Sequence, residues 1–197
     1  MPTHPLLPPA DALVRDRDAD AGEEVVWPGR FITAKRRGRW EYVGRPRNIR
    51  AAAIIALDCD ADGTRHVILV SQYRVPLGRF CLEIPAGLIG DQAGSEGESA
   101  LAAAARELEE ETGYRAGQLE IIGEFYSSPG MISECFTLLR ATQLERISAG
   151  GGEGDENILV HRIPVDEVAP FVAAWREAGH AVDVRIALFL TQEFLGE

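Results

Sequence analysis

Lysine is almost absent from this chain of 197 residues, because Lys35 is the only one. A Walker-type phosphate loop ends in a lysine, and no GxxxxGK[ST] stretch occurs, which excludes that class of nucleotide site. No apolar run is long enough to span a bilayer, and the N-terminus lacks the basic stretch and apolar core of a signal peptide. The sequence therefore predicts a cytoplasmic protein with no membrane partner.

Cysteine is scarce as well, and its distribution excludes two further classes. Cys59, Cys81 and Cys135 form no CxxC pair. The few histidines are equally scattered and show no metal-ligand or triad spacing. An odd, dispersed set of thiols argues for a reducing compartment and against a disulfide scaffold or a zinc site.

Basic charge is also in short supply, since the formal net charge is −11. A nonspecific nucleic-acid binder needs basic surface to displace counterions, so nucleic acid is not expected as a partner, and an RNA pyrophosphohydrolase role is disfavoured. An acidic chain can still act on an anionic substrate if metal ions bridge its carboxylates to phosphates. Taken alone, the charge favours a simpler explanation, a solvated acidic surface.

The organisation of the chain follows from its composition. Residues 1–22 are rich in Pro, Ala and Asp and are expected to form a mobile arm. Residues 23–48 place aromatic and β-branched residues around a basic turn, which predicts a small antiparallel β-sheet in which Trp27 packs. Residues 49–197 mix apolar strand patterns with three helical ones, at 99–112, 166–178 and 182–194. The predicted class is a layered fold, α+β or α/β.

The first of these helices carries an unusual concentration of glutamates. Glu107 and Glu111 are one helical turn apart and share a face, with Glu110 beside them. These charges repel one another, and the dipole at the C-terminal end of the helix opposes them further. A divalent cation with hard oxygen ligands, Mg²⁺ or Mn²⁺, would compensate. An exposed acidic helix face is the alternative, and the residues alone leave both open.

The pattern Arg106-Glu-Leu-x-Glu-Glu-x-Gly-Tyr114, with Glu98 eight residues before Arg106, resembles the Nudix box of nucleoside-diphosphate-linked hydrolases. The resemblance implies an α/β/α sandwich with a mixed sheet. It also implies that Glu107, Glu110 and Glu111 hold metal ions and that Glu98 pairs with Arg106. Gly113 then ends the helix.

One feature departs from that box. The family's opening glycine stands six residues before Glu98, and Gln92 occupies this position. The natural counterpart is Gly87, so the loop is longer by about five residues. By the same resemblance, the backbone carbonyl of Ala86 is an additional metal ligand.

Further segments resemble the ADP-sugar pyrophosphatase branch of that family. They are 72–76 (QYRVP), 82–89 (LEIPAGLI), 127–131 (SSPGM), 155–158 (DENI) and 182–185 (VDVR). The resemblance implies a nucleotide-sugar substrate, foremost ADP-ribose, with AMP and ribose 5-phosphate as products. It also implies a homodimer in which residues 23–48 take part.

The same resemblance, with side-chain chemistry, suggests substrate contacts. Phe31 and Trp40 offer flat surfaces for an adenine, and Arg45 and Arg74 offer charged forks for phosphates. Pro129 stands where ADP-ribose hydrolases carry a proline. Ordinary packing of the two aromatic residues and structural roles for the two arginines are the alternatives.

The general base is expected in the glycine-rich loop 150–156. Glu156 is the first candidate by resemblance, and Glu153 is the second because it lies in the same loop. The base would take a proton from the water that attacks one phosphorus, with two or three Mg²⁺ ions bound. Two alternatives remain open: another nucleoside diphosphate sugar or a dinucleotide as substrate, and a non-catalytic nucleotide sensor.

Overall fold

The computed structural model describes residues 4, 6–91, 97–152, 154 and 156–191. Contacts among these residues divide the chain into two units. The smaller unit contains the described residues of Met1–Asn48 together with Ser128–Ser133. The larger unit contains those of Ile49–Ser127 and Glu134–Glu197.

The smaller unit is built on an antiparallel sheet of strands β1 (Glu23–Pro28), β2 (Thr33–Arg37) and β3 (Trp40–Gly44). The β2–β3 hairpin turns at Gly38, whose φ of +56° lies in the left-handed region that glycine tolerates. Residues 128–133 join this unit through β3, since Val43 N donates to Met131 O at 3.0 Å and Ser133 N donates to Val43 O at 2.9 Å. The predicted small antiparallel sheet is confirmed. The sequence alone instead predicts that residues 128–133 belong to the domain of residues 49–197.

The larger unit contains a mixed sheet. Its strands are β4 (Ala51–Cys59), β5 (Arg65–Arg74), β6 (Arg79–Glu83), β7 (Ala86–Leu88), β8 (Tyr114–Tyr126), β9 (Cys135–Arg146), β10 (Leu159–Pro164) and β11 (Ala181–Val182). The order is β11-β6-β5-β4-β9-β8, while β7 pairs with β4 and β10 pairs with β5. The pairs β4–β9 and β11–β6 are parallel, and the other pairs are antiparallel.

Helices α1 (Ala100–Thr112) and α2 (Val168–Glu177) cover the two faces of this sheet. Successive residues of a strand point to opposite faces, and β4 shows the result. Ala53 lies in a buried apolar cluster with Val168 of α2, and Ile54 lies in a second cluster with Leu108 of α1. The predicted α/β/α arrangement with a mixed sheet is therefore confirmed. None of the described helices is long and apolar enough to cross a membrane.

Helix α1 begins and ends where its sequence predicts. The Ser99 hydroxyl accepts a hydrogen bond from Ala102 N at 3.2 Å, which satisfies one of the unpaired amides of the first turn. Gly113 follows the last turn with φ +74° and donates to Glu109 O. These caps fix the register of the glutamates between them.

The helix predicted over 182–194 is wrong in its described part. The chain forms the two-residue strand β11 and then a 3₁₀ helix at Val184–Phe189, while residues 192–194 lie outside the described part of the chain. Sheet pairing overrides the helical pattern here, because Asp183 N donates to Leu82 O at 2.9 Å. The Asp183 carboxylate then caps the 3₁₀ helix by accepting from Arg185 N.

Candidate functional site

Glu107 and Glu111 of α1 face strand β7 in the larger unit. Ala86 N donates to Glu111 Oε2 at 3.0 Å. A methyl group added at Gly87 would lie 1.8 Å from Glu107 Cδ, far inside contact distance. The main chain at residues 86 and 87 therefore lies directly against two of the predicted metal-binding carboxylates, and a side chain at position 87 would require the Glu107 carboxylate or the strand to move.

Burial and mutual repulsion make these carboxylates hard to ionise. Glu111 is only 6% exposed. Burial raises its pKa to about 8, the Ala86 amide opposes this rise, and the charges of Glu107, Glu156 and Glu83 add to it. Burial also raises the pKa of Glu107, against the attraction of Arg106. A bound cation would relieve both groups.

Arg106 is the cation that the chain itself supplies. Its Nη1 donates to Glu107 Oε1 at 2.8 Å and to Glu110 Oε2 at 3.0 Å. On its other side, Nε donates to Glu98 Oε1 at 3.2 Å. This hydrogen bond lowers the pKa of Glu98, and the Gly90 amide adds to the effect. Glu98 and Arg106 thus form an ion pair beside the helix.

Glutamates suit a hard divalent cation, but the side chains of Glu107 and Glu110 are arranged around Arg106. Within the described ranges, no group of three or more His, Cys, Asp or Glu is gathered as a metal site would require. Glu107 and Glu110 both point an oxygen at Arg106 Nη1 instead. A shared carboxylate face and a buried Glu111 of raised pKa nevertheless supply the oxygen donors that Mg²⁺ and Mn²⁺ bind.

The glycine-rich loop is fastened to the end of α1. Gly151 N donates to Glu111 O at 2.9 Å and Gly152 N donates to Glu110 O at 3.0 Å, so the loop satisfies two carbonyls of the last helical turn. Glu156 is exposed on this loop, and its charge is near enough to raise the pKa of Glu111. Glu153 and the loop residues 92–96 lie outside the described residues.

Glu83 and Arg185 belong to this site, and the sequence did not predict a role for either, although both lie in segments that resemble the pyrophosphatase branch. Glu83 is 5% exposed, and it accepts from Arg74 Nε at 2.6 Å and from Arg74 Nη2 at 2.7 Å. Arg185 Nη2 lies 3.6 Å from Glu83 Oε2. The position of Glu83 in the sequence could have indicated this role, because Glu83 stands three residues before Ala86, at the end of the preceding strand.

The remaining predicted substrate contacts all belong to the smaller unit. Phe31 is 69% exposed with Arg30 Cζ 4.9 Å from its ring centre, and Trp40 is 43% exposed. Arg45 follows β3, and the exposed Pro129 lies in the segment 128–133. Trp27, expected to pack, covers Gly29 but is 56% exposed.

Comparison with known proteins identifies the family. The NUDIX domain family matches residues 48–182. A Nudix hydrolase of Schizosaccharomyces pombe is 32% identical over 162 residues, which are 76% of this chain and 75% of that protein. The ADP-sugar pyrophosphatase of Mus musculus is 46% identical over 142 residues, and the match spans 65% of this chain and 62% of the mouse protein.

A solved structure agrees at the level of fold. The crystal structure of an ADP compounds hydrolase superposes with a TM-score of 0.61 at 24% identity, covering 89% of this chain and 92% of that one. The predicted family is thus confirmed by sequence and by fold, and the chain belongs to the Nudix family of hydrolases.

Proposed function

We propose that this protein hydrolyses the diphosphate of an ADP-sugar, foremost ADP-ribose, to AMP and ribose 5-phosphate, with Mg²⁺ as its cofactor. One observation carries the proposal. Glu111 is buried among other carboxylates beside β7, with its pKa raised to about 8. Such a site is stable as an anion only when a cation is bound, and a divalent cation is what a diphosphate substrate also needs.

Glu107, Glu110, Glu111 and the Ala86 carbonyl would hold the metal. When bound, it supplies charge neutralisation for the diphosphate and a water of lowered pKa. Arg106 would then give up its contacts with Glu107 and Glu110 and keep its ion pair with Glu98. The likeness to the mouse ADP-sugar pyrophosphatase supports the choice of an adenine nucleotide.

Other side chains of the protein are assigned to contact the substrate or to accept a proton from the attacking water. Arg74 presents a guanidinium whose Nε and Nη2 are fixed on Glu83, which directs the remaining donors of its fork. We assign Glu156 as the base that accepts a proton from the attacking water, with Glu153 as the second candidate. Phe31, Trp40, Arg45 and Pro129 are proposed to contact the nucleotide. The homodimer and the cytoplasmic location also stay predictions from the sequence.

The test is an incubation of the purified protein with ADP-ribose, with and without Mg²⁺, followed by chromatography of the products. We expect AMP and ribose 5-phosphate only when the metal is present. Glu111→Gln is the matched inactive variant, and Glu109→Gln is its control, because Glu109 pairs with Arg115 on the outer side of the same helix. Substantial turnover by Glu111→Gln would contradict the metal site.

The substrate is tested by parallel rates on ADP-ribose, ADP-glucose, UDP-glucose and NADH. A clear preference for UDP-glucose would contradict adenine recognition while leaving the diphosphate chemistry intact. If none of the four is cleaved with Mg²⁺ or Mn²⁺, the proposed activity is wrong.

A further inference from the structure

Four alternating charges form a chain beside the candidate site. Arg74 donates twice to Glu83, and Arg185 approaches the same carboxylate at 3.6 Å. On its far side Arg185 is bound to Asp183, with Nε 2.7 Å from Oδ1 and Nη2 3.1 Å from Oδ2. Glu83 is thus shared between two guanidinium groups, and one of these is itself held by a second carboxylate.

The carboxylate that the two arginines share is also buried. The side chain of Glu83 is 6% exposed, those of Arg185 and Asp183 are 18% and 23% exposed, and that of Arg74 is 42% exposed. A buried carboxylate needs its charge balanced and its oxygens bonded. Arg74 is the member that reaches solvent, and in the described part of the chain its Nη1 carries no hydrogen bond. This group is therefore open to a ligand.

The pairing of two short strands positions Asp183 and Arg185, the second half of this series of charges. Strand β11 pairs in parallel with β6, matching Val182 to Leu82. The next residue, Asp183, donates its amide to Leu82 O, which places its carboxylate near Glu83. The same carboxylate caps the 3₁₀ helix that carries Arg185. The guanidinium also lies 5.7 Å from the ring centre of Phe136, which limits its movement.

We propose that Arg185, held by Asp183, is a positioning residue that fixes Glu83 and so aims the free end of Arg74 at the diphosphate of the substrate. This role rests on the proposed function, because it assigns a task to Arg74 in that site. Arg185 itself does not touch the substrate. Without the charge of Arg185, Asp183 loses its ion pair, and within the described residues Glu83 keeps the ion pair with Arg74. Glu83 is then free to shift, and the fork of Arg74 loses its fixed direction.

Kinetics test this role through the separation of KM from kcat. Arg185→Met keeps an unbranched apolar stem and removes the charge, and we expect KM for ADP-ribose to rise roughly tenfold while kcat changes little. The double variant Asp183→Asn/Arg185→Met removes one charge of each sign, so KM should return part of the way to the wild-type value. Asp183→Asn alone should raise KM to a lesser extent, and it serves as the second variant if Arg185→Met folds poorly.

The matched control is Arg162→Met. Arg162 also forms ion pairs with two carboxylates, Asp58 and Asp60, but at a different place in the larger unit. Its loss should leave KM unchanged. Equal effects of Arg162→Met and Arg185→Met would overturn the proposal, because the change would then reflect a general loss of stability.

A readout without substrate separates this proposal from the proposed function. In NMR spectra of the wild type, the Nε–H of Arg74 should exchange slowly with solvent because Glu83 accepts it. That protection should be lost in Arg185→Met and kept in Arg162→Met. If the wild type does not cleave ADP-ribose, but its Arg74 Nε–H is protected and that protection is lost in Arg185→Met, the activity is refuted and the positioning role is retained. Retained protection and an unchanged KM in Arg185→Met would refute the positioning role alone.

Discussion

The Glu111 carboxyl makes stability depend on pH in an unusual direction. Its folded-state pKa of about 8 lies above the ordinary value of 4.5, because burial and neighbouring carboxylates disfavour the charge. The unfolded state therefore ionises first as pH rises. Between pH 4.5 and about pH 8 this group progressively destabilises the metal-free fold, and above that range the loss is constant.

We expect the free energy of unfolding, measured by urea denaturation in EDTA, to fall across that pH window. Glu111→Gln should remove part of the fall, on the order of a few kcal/mol. Glu109→Gln is the control, because that residue lies on the exposed side of α1 with Arg115. If wild type and Glu111→Gln show the same pH dependence, the carboxyl is not held in the environment described here.

Glu156 gives the second prediction at this scale. If it accepts the proton of the attacking water, Glu156→Gln should lower kcat by roughly 10²- to 10⁴-fold and leave the affinity for ADP-ribose nearly unchanged. Rapid-mixing kinetics and calorimetry measure the two quantities separately. Glu153→Gln is the comparison, and a larger loss of kcat in that variant would assign the base to Glu153 instead.

At the scale of elements, the contact between β7 and α1 determines where the carboxylates of Glu107 and Glu111 lie. Gly87→Ala would place a methyl group 1.8 Å from Glu107 Cδ, so the side chain or the strand must shift. We expect a loss of kcat of at least about tenfold, because small displacements of a catalytic group are costly. Gly123→Ala is the control, since its methyl group would meet Phe125 at an ordinary 3.4 Å. Equal kinetics for the two variants would contradict this contact.

Elements also show how far the sequence could predict the structure. Helix α1 has local signals at both ends, Ser99 and Gly113, and its glutamates follow from helical spacing, so its face was predictable. The 3₁₀ helix at Val184–Phe189 was not, because pairing of β11 with β6 decides its start. The Arg74–Glu83–Arg185 contacts depend on that same pairing. A single sequence carries no signal for contacts between segments so far apart.

At the scale of the whole molecule, the layered fold followed from the alternation of strand and helix patterns, whereas the unit boundaries depend on contacts distant in sequence. Residues 128–133 join the smaller unit through main-chain bonds to Val43. This groups Pro129 with Phe31, Trp40 and Arg45. Backbone hydrogen bonds of this kind depend little on side-chain identity, which is why composition did not indicate them.

The resemblance to ADP-sugar pyrophosphatases predicts that the N-terminal sheet, residues 23–48, is exchanged between subunits and serves the site of a partner, and subunit mixing tests this. Trp40→Ala and Glu111→Gln should each be weakly active or inactive as homodimers. Co-expressed with different tags and purified as a mixed dimer, they should regain one working site and show activity well above either parent.

The control is a mixed dimer of Glu111→Gln and Glu156→Gln, whose changes both lie in the larger unit. It should show no recovery if each larger unit supplies its own carboxylates. Light scattering confirms the mass of each mixture. Activity of the Trp40→Ala mixture no higher than the mean of its parents, or a monomeric mass, would contradict the shared site.

The attachment of the glycine-rich loop has a consequence for how related enzymes diverge. Gly151 and Gly152 tie the loop to the last carbonyls of α1, and Ile158 N closes it on Gly151 O at 3.1 Å. Insertions and deletions before Gly151 would shift this attachment against the glutamates, whereas those between Gly152 and Ile158 would keep the attachment and displace Glu156. Natural selection should therefore hold the length before Gly151 to preserve the attachment and the length after Gly152 to preserve the reach of Glu156, which leaves related enzymes to change substrate at other loops.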